Sequence, residues 1–387
     1  MRKVDGNIWN QVEGILNSGV RLGLATTGGG SELISWLLNH PGASRVLLEA
    51  QVPYCAAALG AYIGAPGPHR AEAQTAVEMA GKAYVRGCRL AGSEERVIGL
   101  GCTAALATGR VRRGEDRGHI ALRRQGEYRI YSLYFNRGTA GRLEQEDLLS
   151  RLGLRALGEA CGERPEEGEW PDYAEVTERT LSLDDPLELI VRGEVGAVEI
   201  DVEGNFCVEV EREGRLLFSG SFNPLHQGHV QLAEVASEQC RRPVCMEISV
   251  KNVDKPPLSR DELECRIEQF RGRFPVVVTR EPTFVGKGRL FGGCTFVIGY
   301  DTAVRLFQKK YYEGGEEGME RGLEEMATGG CHFLVAGRLH ESVYRTLESI
   351  AVPEKWRGML NGIPEKAFRM DVSSTEIREG LGMDNPS

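Results

Sequence analysis

The sequence predicts an α/β fold in two domains, and three observations predict it. Helix and strand signals alternate through both halves of the chain. A polar, acidic, proline-bearing stretch, 162-GERPEEGEWPDYAEVTERTLSLDDP-186, interrupts that alternation near the middle. The length, 387 residues, suits two hydrophobic cores better than one.

In the first half, 8-IWNQVEGILNSG-19 has apolar residues at helical spacing and stops at Gly19. The strand 21-RLGLATT-27 leads through GGG into the helical pattern 31-SELISWLL-38. A longer helix fits 72-EAQTAVEMAGKAYVRGCRLA-91, and 97-VIGLGC-102 has the continuous apolar character of a buried strand. The strands 119-HIALRRQ-125 and 128-YRIYSLYF-135 precede a helix over 142–162. Residues 1–162 thus form the first domain. Residues 163–214 form an acidic linker and a β-rich connection, because charge and proline dominate to 186 and β-type residues alternate from 187 to 214.

Residues 215–387 form the second domain. Its strands are 216-LLFSG-220, 244-VCMEISV-250, 276-VVVT-279, 294-CTFVIGY-300 and 332-HFLVAG-337, with helical patterns such as 259–273 between them. Strands separated by helices of this length imply right-handed crossovers and a parallel, Rossmann-like sheet covered on both faces. In such sheets the ligand crevice lies at the carboxyl ends of the strands, where strand order reverses.

The bulk properties exclude several classes. A formal net charge of -9 argues against nucleic acid or an anionic membrane as the main partner. No segment has the ~18 consecutive apolar residues of a membrane span, and the amino terminus lacks the uncharged core of a signal peptide. A soluble cytoplasmic protein is expected. The 10 cysteines form no C-x-x-C pair and no Cys/His group with zinc spacing, so they read as reduced, mostly buried small hydrophobes, with no protein metal site.

The chemistry concentrates in 216-LLFSGSFNPLHQGHVQLAEVA-236. Gly220, Ser221 and Pro224 make a loop that lets backbone approach a ligand. His226 and His229 fall at the start of the following helix, where unpaired N–H groups and the positive dipole end suit a phosphate chain. Imidazoles there can donate to charge developing at a phosphorus under attack. Gly228 between them removes a side chain that would meet the nucleotide. The plainer alternative makes one histidine a cap and the other a surface residue. Near the other end, 371-DVSSTEIREG-380 sets Ser373, Ser374 and Thr375 before a short helix, with Arg378 one turn on to grip the same anion. Ser373 and Glu376 also fit a capping box.

GSFNPLHQGH resembles the signature of the HxGH nucleotidyltransferase superfamily, in the form found in nicotinamide/nicotinate mononucleotide adenylyltransferases. DVSSTEIREG resembles that family's second motif, with Val372 for Ile. Gly299 and Asp301 match its G-x-D at a strand end, although Asp301 also fits a helix cap. The stretch 249-SVKNVDKPPLS-259 resembles its substrate loop. The resemblance implies transfer of adenylyl from ATP to a phosphorylated acceptor with release of pyrophosphate, and Mg²⁺ carried by the triphosphate. It implies His226, His229 and Arg378 as catalytic residues. Gly220, Ser221, Phe222, Gly228, Gly299, Asp301, Ser373, Ser374 and Thr375 would bind the nucleotide, and Asn252 and Lys255 the acceptor. A solvated Lys255 is the alternative, and Lys287 and Arg289 face phosphate or water. CTP as donor with another phosphorylated acceptor stays open, as does a nucleotide-binding pseudoenzyme.

The first half resembles the CinA carboxy-terminal domain, whose enzymatic members deamidate nicotinamide mononucleotide. The turn 26-TTGGGSELISWLL-38, the NHPGAS segment, Tyr54, and the helix before VIGLGCTA carry it. Ala25 stands where that family has a nucleophilic serine, and Leu59 where it has a lysine. An alanine cannot act as a nucleophile. Unless Thr26 or Thr27 has taken over, the domain is non-catalytic and serves ligand binding or homo-oligomer formation, with a glycine-rich turn still able to hold phosphate.

Overall fold

The computed structural model describes residues 6–65, 69–109, 114–163, 170–253, 256–340 and 343–369. They fall into two compact units, the first ending at Asp184 and the second continuing from Asp185. The fold class is α/β in both, as expected.

The first unit runs α1 (Gly6–Asn17), β1 (Arg21–Thr27), α2 (Ser31–Asn39), β2 (Leu47–Gln51), α3 (Ala56–Ile63), α4 (Ala73–Ala91), β3 (Val97–Ala105), β4 (Asp116–Arg124), β5 (Glu127–Phe135), α5 (Arg142–Ala160) and β6 (Ala174–Ser182). Its sheet has the order β2-β1-β3-β4-β5-β6. β1 is parallel to β2 and β3, and the pairs from β3 to β6 are antiparallel. The apolar face of α1, Ile8, Val12, Ile15 and Leu16, joins α2 and α5 in one core against Leu22, Leu24, Leu100 and Tyr131.

β6 corrects the expected acidic linker. Its nine residues pair in register with all of β5, from Glu127↔Ser182 to Phe135↔Ala174. Ala174 and Val176 pack inward, while most of the strand is exposed. An edge strand solvated on one face needs few apolar residues, so its charge density concealed it.

The second unit runs α6 (Pro186–Arg192), β7 (Ala197–Ile200), β8 (Phe206–Cys207), β9 (Leu216–Ser219), α7 (Gln227–Cys240), β10 (Val244–Ser249), α8 (Arg260–Glu268), β11 (Val276–Thr279), α9 (Phe284–Leu290), β12 (Thr295–Gly299), α10 (Tyr300–Leu306), α11 (Gly315–Thr328), β13 (His332–Ala336), β14 (Arg338–His340), β15 (Val343–Arg345) and β16 (Leu360–Gly362). The stretch from 187, expected as β-rich, opens with a helix. Asp185 caps α6 by accepting from Glu188 N–H at 3.1 Å, Pro186 occupies its first turn, and Gly193 ends it in the left-handed region. β7 and β8 then extend the second sheet, which runs β16-β13-β12-β9-β10-β11-β7-β8.

From β9 the chain steps outward to β10 and β11, then returns across β9 to β12 and continues to β13 and β16. All these strands are parallel; β7 is antiparallel to β11. Strand order reverses between β9 and β12, which makes their carboxyl ends the switch point. Leu217, Cys245, Val277, Phe296 and Phe333 pack on one face against residues of α10 and α11 such as Ala303, Leu306, Leu323 and Met326. Among the described residues no helix is long and apolar enough to cross a membrane.

Candidate functional site

The pairing of β9 with β12 ends at Phe218↔Val297, two residues short of Gly220 on one strand and Gly299 on the other. Both motif glycines therefore lie at the switch point. Gly220 N–H donates to Glu247 C=O of β10 at 3.1 Å, anchoring the loop that follows. Ser221 is exposed, and Phe222 is buried with φ 43°. The peptide Asn223–Pro224 is cis.

His226 is the N-cap residue of α7, and Gly228 and His229 lie in its first turn. The two imidazoles stack with ring centroids 3.7 Å apart. His226 N–H donates to His229 Nδ1 at 3.3 Å. With Nδ1 accepting, the neutral ring carries its proton on Nε2, as a donor. Phe218 and Phe222 meet the His229 ring edge-on at 5.9 and 5.1 Å. Burial, and then the neighbouring His226, push the His229 pKa down to about 3; burial also lowers His226. Both rings are accordingly neutral at pH 7. His226 takes the N-cap position, but the bond that orders the pair runs from its N–H to the His229 ring, and His229 is no surface residue.

No motif marks the residues that support the loop. Arg266 Nη1, on α8, donates to Ser221 C=O at 3.1 Å. Gln269, just past α8, donates from Nε2 to Phe222 C=O at 3.2 Å and accepts Leu225 N–H at 2.8 Å. Such residues lack a motif because they act through backbone atoms of another segment.

Gly299 is the N-cap residue of α10, and a Cβ there would meet no atom of the described residues within 4 Å. Asp301 lies in the first turn and pairs with Arg338 of β14, so it is not the cap of that helix. Asn252 lines a cavity of about 580 Å³ at the carboxyl ends of β10, β11 and β12. Phe284, Tyr311 and Tyr312 give it aromatic walls, and Arg305 and Arg321 line it with Arg289, which is held by Glu325 at 2.6 and 2.7 Å. Lys287 faces neither phosphate nor water. Its ammonium is buried against Glu247 at 2.6 Å, and Thr279 donates to the other carboxylate oxygen at 2.7 Å. A helix signal alone could not tell which side of α9 turns inward. The Ser219 hydroxyl, buried at the end of β9, has no hydrogen-bond partner among the described residues. Lys255, Ser373, Ser374, Thr375 and Arg378 lie outside the described residues.

The turn of the first unit is built differently. Ala25 is fully buried. Thr26 is buried too, and its hydroxyl donates to Gly29 C=O. Gly28 and Gly30 have φ of 76° and 81°; a Cβ on them would lie 2.0 Å from Ala104 C=O and 2.7 Å from Cys102 Sγ. The N-terminus of α2, expected to remain open to phosphate, holds the Glu146 carboxylate. Gly30 N–H, Ser31 N–H and the Ser31 hydroxyl donate to it at 3.0, 2.5 and 2.8 Å. Leu59 is buried and Tyr54 exposed. The cysteines are all free, but Cys55, Cys207 and Cys265 are exposed where burial was expected.

Residues 217–380 match the cytidylyltransferase-like family model. Among curated proteins nothing matches the chain. Solved structures similar to part of it include a competence/damage inducible protein, CihA, from Agrobacterium tumefaciens, at 19% identity and TM-score 0.35, covering 42% of this chain and 100% of that one. A competence or damage-inducible protein from Enterobacter asburiae has 16% identity and TM-score 0.34, with 40% and 97% coverage. A competence-damaged protein (CinA) superfamily member from Escherichia coli has 16% identity and TM-score 0.33, with 41% and 92% coverage. With the histidine pair at the switch point of its sheet, the second unit carries a cytidylyltransferase-like domain, that of a nucleotidyltransferase.

Proposed function

We propose that the second unit transfers adenylyl from ATP to nicotinamide or nicotinate mononucleotide and releases pyrophosphate. One observation carries the reading: two stacked, neutral imidazoles stand at a helix N-terminus on the sheet edge where strand order reverses. The cavity on that edge supports the acceptor class, since aromatic walls suit a planar ring and arginines suit anionic groups. Cavities of this volume take small-molecule ligands of nucleotide size.

In this reaction a phosphate oxygen of the acceptor attacks the α-phosphorus of ATP. No covalent enzyme intermediate is needed, so catalysis is positioning plus stabilisation of charge on the pentacoordinate phosphorus. His229 donates from Nε2 to a phosphoryl oxygen, and His226 contacts the phosphates beside it. Gly220, Ser221, Phe222 and Gly228 bring backbone to the nucleotide, and Gly299 and Asp301 receive its nucleoside. Ser373, Ser374, Thr375 and Arg378 bind the triphosphate, while Asn252 and Lys255 hold the acceptor. Mg²⁺ would be held mainly by the triphosphate's own oxygens, where it would neutralise part of their charge. The described residues contain no group of three or more His, Cys, Asp and Glu that could hold a metal, and no protein ligand is assigned to it.

The first unit is read as non-catalytic. Support comes from the buried Ala25, the internally bonded Thr26 and the carboxylate filling the α2 N-terminus. The test is pyrophosphate release from ATP or CTP with Mg²⁺ against a panel of phosphorylated acceptors. Release with ATP and a pyridine mononucleotide supports the reading. Release only with CTP would redirect it to a cytidylyltransferase, and nucleotide binding without release would leave a pseudoenzyme. Ammonia released from nicotinamide mononucleotide by a variant lacking both histidines would overturn the assignment of the first unit.

A further inference from the structure

The histidine loop is held from outside itself. Between Ser221 and Leu225 three backbone groups are bonded to side chains of one helical turn, at Arg266 and Gln269. Gln269 does the most. Its amide nitrogen donates to Phe222 C=O and to Arg266 C=O, both at 3.2 Å, and its oxygen accepts Leu225 N–H at 2.8 Å. One primary amide thus clasps both ends of the Phe222–Leu225 segment. The next residue, Phe270, is fully buried and meets the Phe222 ring edge-on at 5.1 Å. Phe222 meets His229 in the same way at 5.1 Å. The contacts form a short chain from the end of α8, through the loop, to the imidazole.

We propose that Gln269 is a positioning residue for the histidine pair. It touches no reacting atom. It fixes the path by which the chain enters α7, and with that path the His226 N–H that selects the His229 tautomer. Its role in turnover rests on the nucleotidyl-transfer reading; its role in ordering His229 does not. The chemistry demands glutamine here. A carboxylate of equal length keeps the bond from Leu225 but cannot donate to Phe222, and asparagine is one methylene too short to reach both. Gln269 is itself exposed, so its substitution removes these bonds without opening the core.

The test uses the full chain with ¹⁵N-labelled histidine, compared with Gln269→Ala and Gln269→Glu. In the parent, the His229 Nδ1 resonance has the shift of an unprotonated acceptor, with the proton on Nε2. Gln269→Ala should mix the tautomers and, with ATP and the accepted mononucleotide, lower kcat on the order of 10- to 100-fold with little change in KM. Gln269→Glu should fall between. A merely structural role would move the melting temperature and leave both the tautomer and kcat alone, and that result would overturn the proposal. If the parent releases no pyrophosphate with any acceptor, the nucleotidyl-transfer reading falls, and the nitrogen spectra alone decide Gln269.

Discussion

Each unit carries a parallel strand that passes through a glycine-bearing turn into a helix, β1 to α2 in the first and β9 to α7 in the second. The positive ends of the two helices are occupied in opposite ways. In the first unit Glu146 reaches in from α5 and supplies the anion from within the protein. In the second, two neutral imidazoles stand at the same place, and a carboxylate of the neighbouring strand, Glu247, is tied below to Lys287 and Thr279. The glycines diverge as well. Gly28 and Gly30 are required by their positive φ and by neighbours, and Gly220 of the β9–α7 turn is crowded by the Phe222 ring, 2.8 Å from where a Cβ would lie. Gly299, in the β12–α10 turn at the same switch point, has no atom of the described residues pressing on it. A glycine-rich strand-to-helix turn is therefore a statement about backbone. Whether it binds a ligand depends on what fills the helix end.

The largest expected effect concerns the buried carboxylate that stays away from the helix end. Lys287→Met leaves Glu247 charged and unpaired in the core, and should cost about 3–5 kcal/mol in chemical denaturation. Adding Glu247→Leu and Thr279→Val should recover most of it, because removing the whole polar cluster also removes the desolvation penalty. No recovery would mean that the cluster organises the sheet edge beyond its own pairing.

Next is the imidazole. His229→Ala should lower turnover about 10²- to 10³-fold, the usual loss for one donor to a developing charge. Retained turnover would move the catalytic role to His226. The same substitution sharpens a pH effect. An ordinary histidine titrates near 6.5, and His229 near 3 in the folded chain, so the unfolded state binds the extra proton between those values. Stability from this site is complete above pH 6.5 and is lost progressively as pH falls toward 3. His119 of the first unit, pushed down to about 4 by burial and then by Arg117, acts in the same direction. His229→Ala should flatten the acid slope of the second unit's unfolding and leave that of the first.

Much of this was legible in the sequence, for identifiable reasons. The five strands from 216 to 337 announced themselves because both their faces are buried, which demands unbroken apolar runs. The histidine motif was legible because its residue types are fixed by chemistry at close spacing. β6 was not, since a half-solvated edge strand carries few apolar residues; α6 was not, since the apolar residues Leu187, Leu189, Ile190 and Val191 in a seven-residue segment fit a strand as readily as a helix. Glu146, Gln269 and the Lys287–Glu247 pair were not, because each lies at least 40 residues from its main partner or bonds only to backbone across the fold. The N-cap of α6, by contrast, is written in Asp185-Pro186, although neighbouring charges obscure it.

In the first unit, Glu146→Ala should destabilise by about 1–2 kcal/mol, as for a lost helix cap with its charge–dipole contribution. It also reopens the N-terminus of α2, so inorganic phosphate should raise the melting temperature of the variant more than that of the parent. An equal shift in both would mean that the carboxylate does not occupy an anion site, and that the contrast between the two turns is one of shape alone.

The smallest effect on stability is the most telling about ligand. Gly299 has an ordinary extended conformation, φ −81° and ψ 163°, which alanine adopts without strain. An added Cβ meets nothing among the described residues, so Gly299→Ala should cost no more than about 1 kcal/mol, the ordinary difference between glycine and alanine at an N-cap. If the nucleotide lies against this backbone, the same methyl group intrudes on it. ATP should then raise the melting temperature of the parent and fail to do so for the variant, whose unliganded stability is nearly unchanged. Gly30→Ala is the converse case: it should unfold the first unit by forcing a Cβ onto Cys102 at positive φ, and do so identically with and without ATP. A glycine whose substitution is felt only in the presence of ligand is one that the fold does not require, and that outcome would separate the β12–α10 turn at the switch point from the β1–α2 turn, whose glycines serve the chain itself.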